Sequence, residues 1–132
     1  MYINRSRSST SSQLLLQVDT TLLPWRLLAR KYGTHLAYTP MIHSQSFAQS
    51  RTYRAMYFST CAEDRPLIAQ FCSNQPGVLL EAARYVDGHC DAVDLNIGCP
   101  QYIARRGGYG AFLMDGDWEV VAQMVRLLHR HL

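Results

Sequence analysis

The residues best placed to do chemistry lie in one short run, Asn96-Ile97-Gly98-Cys99-Pro100, which follows the apolar stretch Ala92-Val93-Asp94-Leu95. If residues 92–96 form a buried strand, this order sets an amide, a glycine, a thiol and a rigid proline at the strand's carboxyl end. Catalytic groups of parallel α/β folds collect there. Gly98 is expected to let the backbone turn sharply, while Pro100 fixes the exit direction and lacks an N–H. The Cys99 thiol is then presented from a loop instead of being packed in a core. Cysteine is otherwise most often a small buried hydrophobe, and Cys61, Cys72 and Cys90 are read that way.

Other polar groups stand at similar places. Gln70 is the one polar residue in the apolar run 67–71, near its carboxyl end, where it can serve a ligand or simply face water. Arg105 and Arg106 follow the cysteine in what reads as a loop, suited to phosphate contacts or to plain solvation. Gly107-Gly108-Tyr109-Gly110 looks superficially like a phosphate cradle but is better read as a loop that must flex. None of the four cysteines forms a CxxC pair, and the five histidines share no ligand spacing, so no metal site is expected.

These groups need elements to hold them. Residues 14–18 read as a strand, and Thr20 or Thr21 as the cap of a helix with Pro24 in its first turn and Gly33 at its end. Residues 35–38 form a second strand, closed by Pro40. Residues 41–65 are polar and without clear period, a long loop with a functional or packing role. Strand 67–71 leads to a helix over 76–86, opened by Asn74 and Pro76, with Leu79, Leu80, Ala83 and Val86 at helical spacing. After strand 92–96, Asp115-Gly116-Asp117 caps a helix over 117–131 that carries Trp118, Val121, Met124, Val125 and Leu128 on one stripe. Alternating strands and helices imply a parallel sheet, either doubly wound or a piece of a (β/α)₈ barrel. No G-x-G-x-x-G follows the first strand, which argues against a dinucleotide-binding unit.

Composition bounds the rest. A chain of 132 residues with 48% apolar content suits one packed domain, and no apolar run approaches the ~20 residues of a membrane span. The net charge of +3 is compatible with RNA without requiring it. Residues 1–13 are serine-rich and free of acids, and read as a disordered or divergent tail; the same bias marks mitochondrial presequences, but no amphipathic helix accompanies it. Reduced thiols and the absence of a secretory segment predict a cytoplasmic or nuclear protein.

The motif Asn96-Ile97-Gly98-Cys99-Pro100, with Arg105-Arg106-Gly107-Gly108-Tyr109-Gly110-Ala111-Phe112-Leu113 after it, resembles the signature of tRNA-dihydrouridine synthases. Trp25-Arg26-Leu27-Leu28, Tyr38-Thr39-Pro40-Met41 and Asp64-Arg65-Pro66-Leu67-Ile68-Ala69-Gln70-Phe71-Cys72 resemble further blocks of that family, in the eukaryotic type acting on D-loop positions 16 and 17. The resemblance implies a (β/α)₈ barrel with FMN, of which residues 14–132 would supply the N-terminal half, about four βα units, followed in the family by a helical tRNA-binding domain. It implies NAD(P)H as reductant, hydride transfer from FMN to carbon 6 of uracil, and protonation of carbon 5 by Cys99 as general acid. A thiol suits that role because its pKa lies not far above neutrality. Gln70 would contact the flavin. Asn96 would bond or orient the base, or else cap the turn after the strand. Arg105 and Arg106 would meet the tRNA.

Two departures accompany the resemblance. Leu16 and Gln17 stand where the family carries a Pro-Met pair that packs on the flavin. The family's late-strand phosphate loops lie beyond Leu132, and a full barrel takes about 250 residues. An alternative function is therefore a catalytically incompetent isoform that binds RNA or a partner, or that self-associates through open strand edges. Another flavin barrel of the dihydroorotate-dehydrogenase kind matches the cysteine motif poorly.

Overall fold

In the computed structural model the described residues are 22–116 and 118–132, together with the backbone of two short strands, β1 (Tyr2–Asn4) and β2 (Leu15–Leu16). The proposed cap at Thr20 or Thr21 and the ends of the first expected strand lie outside the described residues. Helix α1 (Leu23–Lys31) starts from Leu22 with no side-chain cap and has Pro24 in its first turn, where the missing N–H costs nothing. Gly33, just past its end, adopts a φ of 94°.

Strands β3 (Leu36–Tyr38), β5 (Leu67–Cys72) and β6 (Ala92–Leu95) pair in parallel, and β2 pairs in parallel with β3. The spatial order β2-β3-β5-β6 is the chain order, with no reversal. Doubly wound dinucleotide folds reverse their order midway, whereas barrel strands follow one another in sequence. β1 lies antiparallel on the outer edge of β6.

The long polar segment 41–65 is not a loop. It holds β4 (Ile42–His43), which pairs with the end of β5, then α2 (Ser44–Gln49) and α3 (Arg51–Tyr57). Both helices are under two turns, too short to show a period, and they are capped by side chains: His43 Nδ1 accepts from Ser46 N–H and Ser50 Oγ from Tyr53 N–H. β3 and β4 both pair with β5 and are separated at Pro40, which has no N–H for a ladder. There the Thr39 hydroxyl accepts the Gln70 N–H at 3.0 Å.

Period-two alternation divides the sheet faces. Ala69, Phe71, Val93 and Leu95 point into the main core with Phe47, Leu79, Ala83, Val86, Val121, Met124 and Leu128. Helix α4 (Pro76–Arg84) packs between α2 and the C-terminal α6 (Trp118–His131). The expected α6 stripe is formed by Val121, Met124 and Leu128; Trp118 is 60% exposed, since it begins the helix before the core is reached. On the opposite sheet face stand Ile68, Gln70, Cys72, Ala92 and Asp94.

α1 is anchored by a buried ion pair. Arg26 Nη2 donates to Asp64 Oδ2 at 2.6 Å and to the Ser59 carbonyl at 2.7 Å, and Arg30 and Thr60 also donate to Asp64. Removing one partner of such a pair costs about 3–5 kcal/mol, because the other charge is left buried.

Candidate active site

Parallel register puts Gln70 directly opposite Asp94. Asn96, two residues beyond Asp94, shares its side of the chain. Gln70 Nε2 donates to Asp94 Oδ2 at 2.8 Å, and Asn96 Nδ2 donates to Gln70 Oε1 at 3.3 Å. Asn96 Oδ1 then accepts the N–H groups of both Gly98 and Cys99, each at 3.0 Å. Asp94 Oδ2 is the acceptor of this pair, so the Gln70 amide nitrogen faces Asp94 and its oxygen faces Asn96. That choice orients Asn96 in turn, leaving its oxygen for the loop. A relay of three side chains thus runs from the sheet to the cysteine backbone.

The Cys99 thiol is free and partly exposed, at the carboxyl end of β6. Its turn does not depend on Gly98 as expected: that residue is outside the positive-φ set, and a Cβ there would meet nothing within 4 Å. The Asn96 cap makes the turn. The glycine that the loop requires is Gly110, with φ 64°, where a Cβ would lie 2.6 Å from the Cys99 carbonyl oxygen. Beside it, the Ala111 N–H donates to that carbonyl at 3.0 Å.

Arg105 and Arg106 are not on a loop. They occupy the last turn of α5 (Tyr102–Gly107), whose C-cap Gly108 is left-handed, and both are exposed. The stretch after them is packed: Tyr109 is buried, and Gly110 opens a 3-10 turn to Leu113. Tyr109, Cys72 and Ala104 form a small cluster, against which Cys99, Met41 and Phe112 pack. Burial, and then the proximity of Cys99, push the Cys72 thiol up to about 12, so it stays protonated. Tyr109 is also raised, first by burial and then by Cys72.

Asp94 is the residue that sequence reasoning passed over. Its signal was present: it is the only ionisable residue in an otherwise apolar, fully buried strand, and it lies two positions before Asn96.

A carboxylate, two amides and a thiol at the carboxyl ends of adjacent parallel strands define an α/β domain with an enzyme-like site at the strand mouth. The chain belongs to the dihydrouridine synthase family, whose model, described as "Dihydrouridine synthase (Dus)", matches residues 17–132. It is 50% identical over 117 residues to the tRNA-dihydrouridine(16/17) synthase [NAD(P)(+)]-like protein of Rattus norvegicus, covering 87% of this chain and 26% of that protein. It is 50% identical over 118 residues to the tRNA-dihydrouridine(16/17) synthase [NAD(P)(+)] of Saccharomyces cerevisiae, covering 87% of this chain and 28% of that protein. A tRNA-dihydrouridine(20a/20b) synthase [NAD(P)+]-like protein of Homo sapiens is 43% identical over 104 residues, 79% of this chain and 32% of that protein. The chain thus spans about a quarter of the length of its 16/17-type relatives, and the match covers their N-terminal part.

Proposed function

We propose that residues 14–132 supply the first four βα units of a (β/α)₈ barrel in a tRNA-dihydrouridine synthase that reduces uridine to 5,6-dihydrouridine in the tRNA D-loop, with FMN as cofactor and NAD(P)H as reductant. The observation that carries this reading is the Cys99 thiol, partly exposed at the mouth of β6 on a turn capped by Asn96, in a chain of this family.

The residues fit a flavin ring edge. After its bonds to Asp94 and Asn96, the Gln70 amide keeps one N–H and one acceptor lone pair, a donor and acceptor side by side as such an edge requires. Bound FMN would supply the hydride. Cys99 holds the proton at its Sγ and releases it to carbon 5 of the uracil. Asn96 positions the cysteine through two N–H bonds and retains one N–H for the base. Arg105 and Arg106, exposed on α5, add sequence-independent phosphate affinity.

A second reading is that this polypeptide binds RNA or a partner without turnover; the exposed pair Arg105 and Arg106 on α5 favours it. One experiment separates the two. Residues 17–132 replace the matching segment of the Saccharomyces cerevisiae synthase, in cells lacking that enzyme, and dihydrouridine in bulk tRNA is measured by mass spectrometry. Restored dihydrouridine supports the catalytic reading. A folded, yellow chimaera that restores none overturns it.

A further inference from the structure

Beside the candidate active site lies a cavity of about 760 Å³, within the range of roughly 300–1,000 Å³ typical of ligand sites. Its walls are α2–α3, through Ser46 and Tyr53, and α5, through Tyr102, Ile103, Arg106 and Gly107; His43 and Tyr109 complete it. Four of these eight residues carry aromatic rings, and none carries a carboxylate. The rings are fixed by one another: His43 and Tyr109 have centroids 5.6 Å apart, Tyr53 stacks on Tyr57 at 4.2 Å, and the Tyr53 hydroxyl accepts the His43 N–H at 3.2 Å. Burial lowers the His43 pKa, which leaves Arg106 as the cavity's cation at neutral pH.

Two features point outward from this frame. Tyr102 is 74% exposed, a large ring held in solvent at the start of α5. Arg106, one turn on, is also exposed, and among the described residues no carboxylate pairs with it. Helix α5 begins three residues after Cys99, and Tyr109 belongs both to this cavity and to the cluster on which Cys99 packs.

We propose that this cavity is a second nucleotide subsite, which takes an unstacked base of a single-stranded RNA loop against Tyr102 and its phosphate on Arg106. Rings with an unpaired arginine suit a nucleotide, because every base offers a face to stack on and the guanidinium forks onto phosphate. Single-stranded loops, not duplex, supply such splayed bases. The subsite rests on the proposed tRNA substrate and adds to it a grip on a nucleotide other than the one reduced.

The test uses the 132-residue polypeptide and the fluorescence anisotropy of a 5′-labelled pentauridylate, with a blunt RNA duplex as competitor. Tyr102→Ala is expected to weaken binding about 5- to 150-fold, the loss typical of one base stack, and Tyr102→Phe to restore it. Arg106→Ala should weaken binding and lower the salt slope by about one phosphate. Arg126→Ala, on the exposed face of α6, is the control for general charge and should change neither. The duplex should compete poorly. Tyr102 and Arg106 are both exposed, so the variants should keep the wild-type melting temperature. No binding by the wild type, unchanged binding in Tyr102→Ala, or an equal loss in Arg126→Ala would overturn the subsite, and unchanged binding would leave the cavity to another class of ligand, such as a protein side chain. Binding is read without turnover, so a chimaera inactive on tRNA with Tyr102-dependent oligonucleotide affinity would sink the catalytic reading alone.

Discussion

Gln70 and Asp94 face each other in register on adjacent parallel strands, and the 2.8 Å bond between them sets the direction of every amide leading to Cys99. The cysteine loop is therefore controlled from inside the sheet. Asn96 is the joint, since its oxygen takes two loop N–H groups while its nitrogen reaches back to Gln70.

Asn96→Ala should release the Gly98 and Cys99 N–H groups and cost about 1–3 kcal/mol. Asn96→Asp keeps both acceptors but has no N–H for Gln70, so it should preserve the turn while disturbing the Gln70 amide. Urea melts together with Cys99 alkylation rates check this pair. Equal effects of the two substitutions on the alkylation rate would contradict the relay.

Gly110→Ala should displace the cysteine loop. The new Cβ would press on the Cys99 carbonyl, and the left-handed backbone adds about 1–2 kcal/mol. Gly98→Ala, with open space around it, should be far milder. Thermal melts of the two variants decide the matter, and a Gly110→Ala protein as stable as Gly98→Ala would refute it.

The thiols should separate by reactivity. Cys72 is pushed up to about 12 and Cys90 to about 11, in each case first by burial, whereas Cys99 is partly exposed on its turn. Iodoacetamide at pH 8 followed by peptide mass spectrometry should find Cys99 labelled in the folded chain, with Cys72 and Cys90 labelled only after unfolding. The raised thiols favour the folded state fully below the ordinary thiol range, and that preference is lost as pH climbs through their own values. Cys72 labelling as fast as Cys99 would be incompatible with this packing.

Asp91 gives the acid side. Burial pushes its pKa up, but the Arg65 bonds at 2.6 and 2.8 Å and the Leu67 N–H outweigh this and hold it below the usual range. A depressed carboxylate stabilises the fold above its unfolded pKa, and the contribution disappears as pH falls through the folded value. Asp91→Asn should therefore flatten the acid limb of a urea-midpoint profile while lowering the neutral plateau. Superimposable acid limbs in the two proteins would exclude this role.

Much of this arrangement was legible in the sequence, for reasons that particular residues make clear. Strands 67–71 and 92–96 announced themselves as short apolar runs, and Gln70, Asn96 and Cys99 stood out at their ends. α2 and α3 did not, because six and seven residues cannot display a helical period and their caps are a histidine and a serine in an already polar stretch. The wrong glycine drew notice for a similar reason. Gly98 sits in the motif, but what makes Gly110 necessary is the approach of Cys99, eleven residues earlier in the chain, which no local pattern encodes. Arg105 and Arg106 looked equivalent until α5 turned only Arg106 toward the cavity.

Cys99 as proton donor is the residue on which the proposed chemistry turns. In the chimaera with the yeast synthase, single-turnover reduction of tRNA uridine by the reduced, FMN-loaded protein should fall about 10²- to 10⁴-fold in Cys99→Ala, the typical loss of one general acid. Flavin absorbance should stay at the wild-type level, since the relay to Gln70 does not pass through the thiol. Turnover by Cys99→Ala close to that of the parent chimaera, with FMN bound in both, would contradict the assignment.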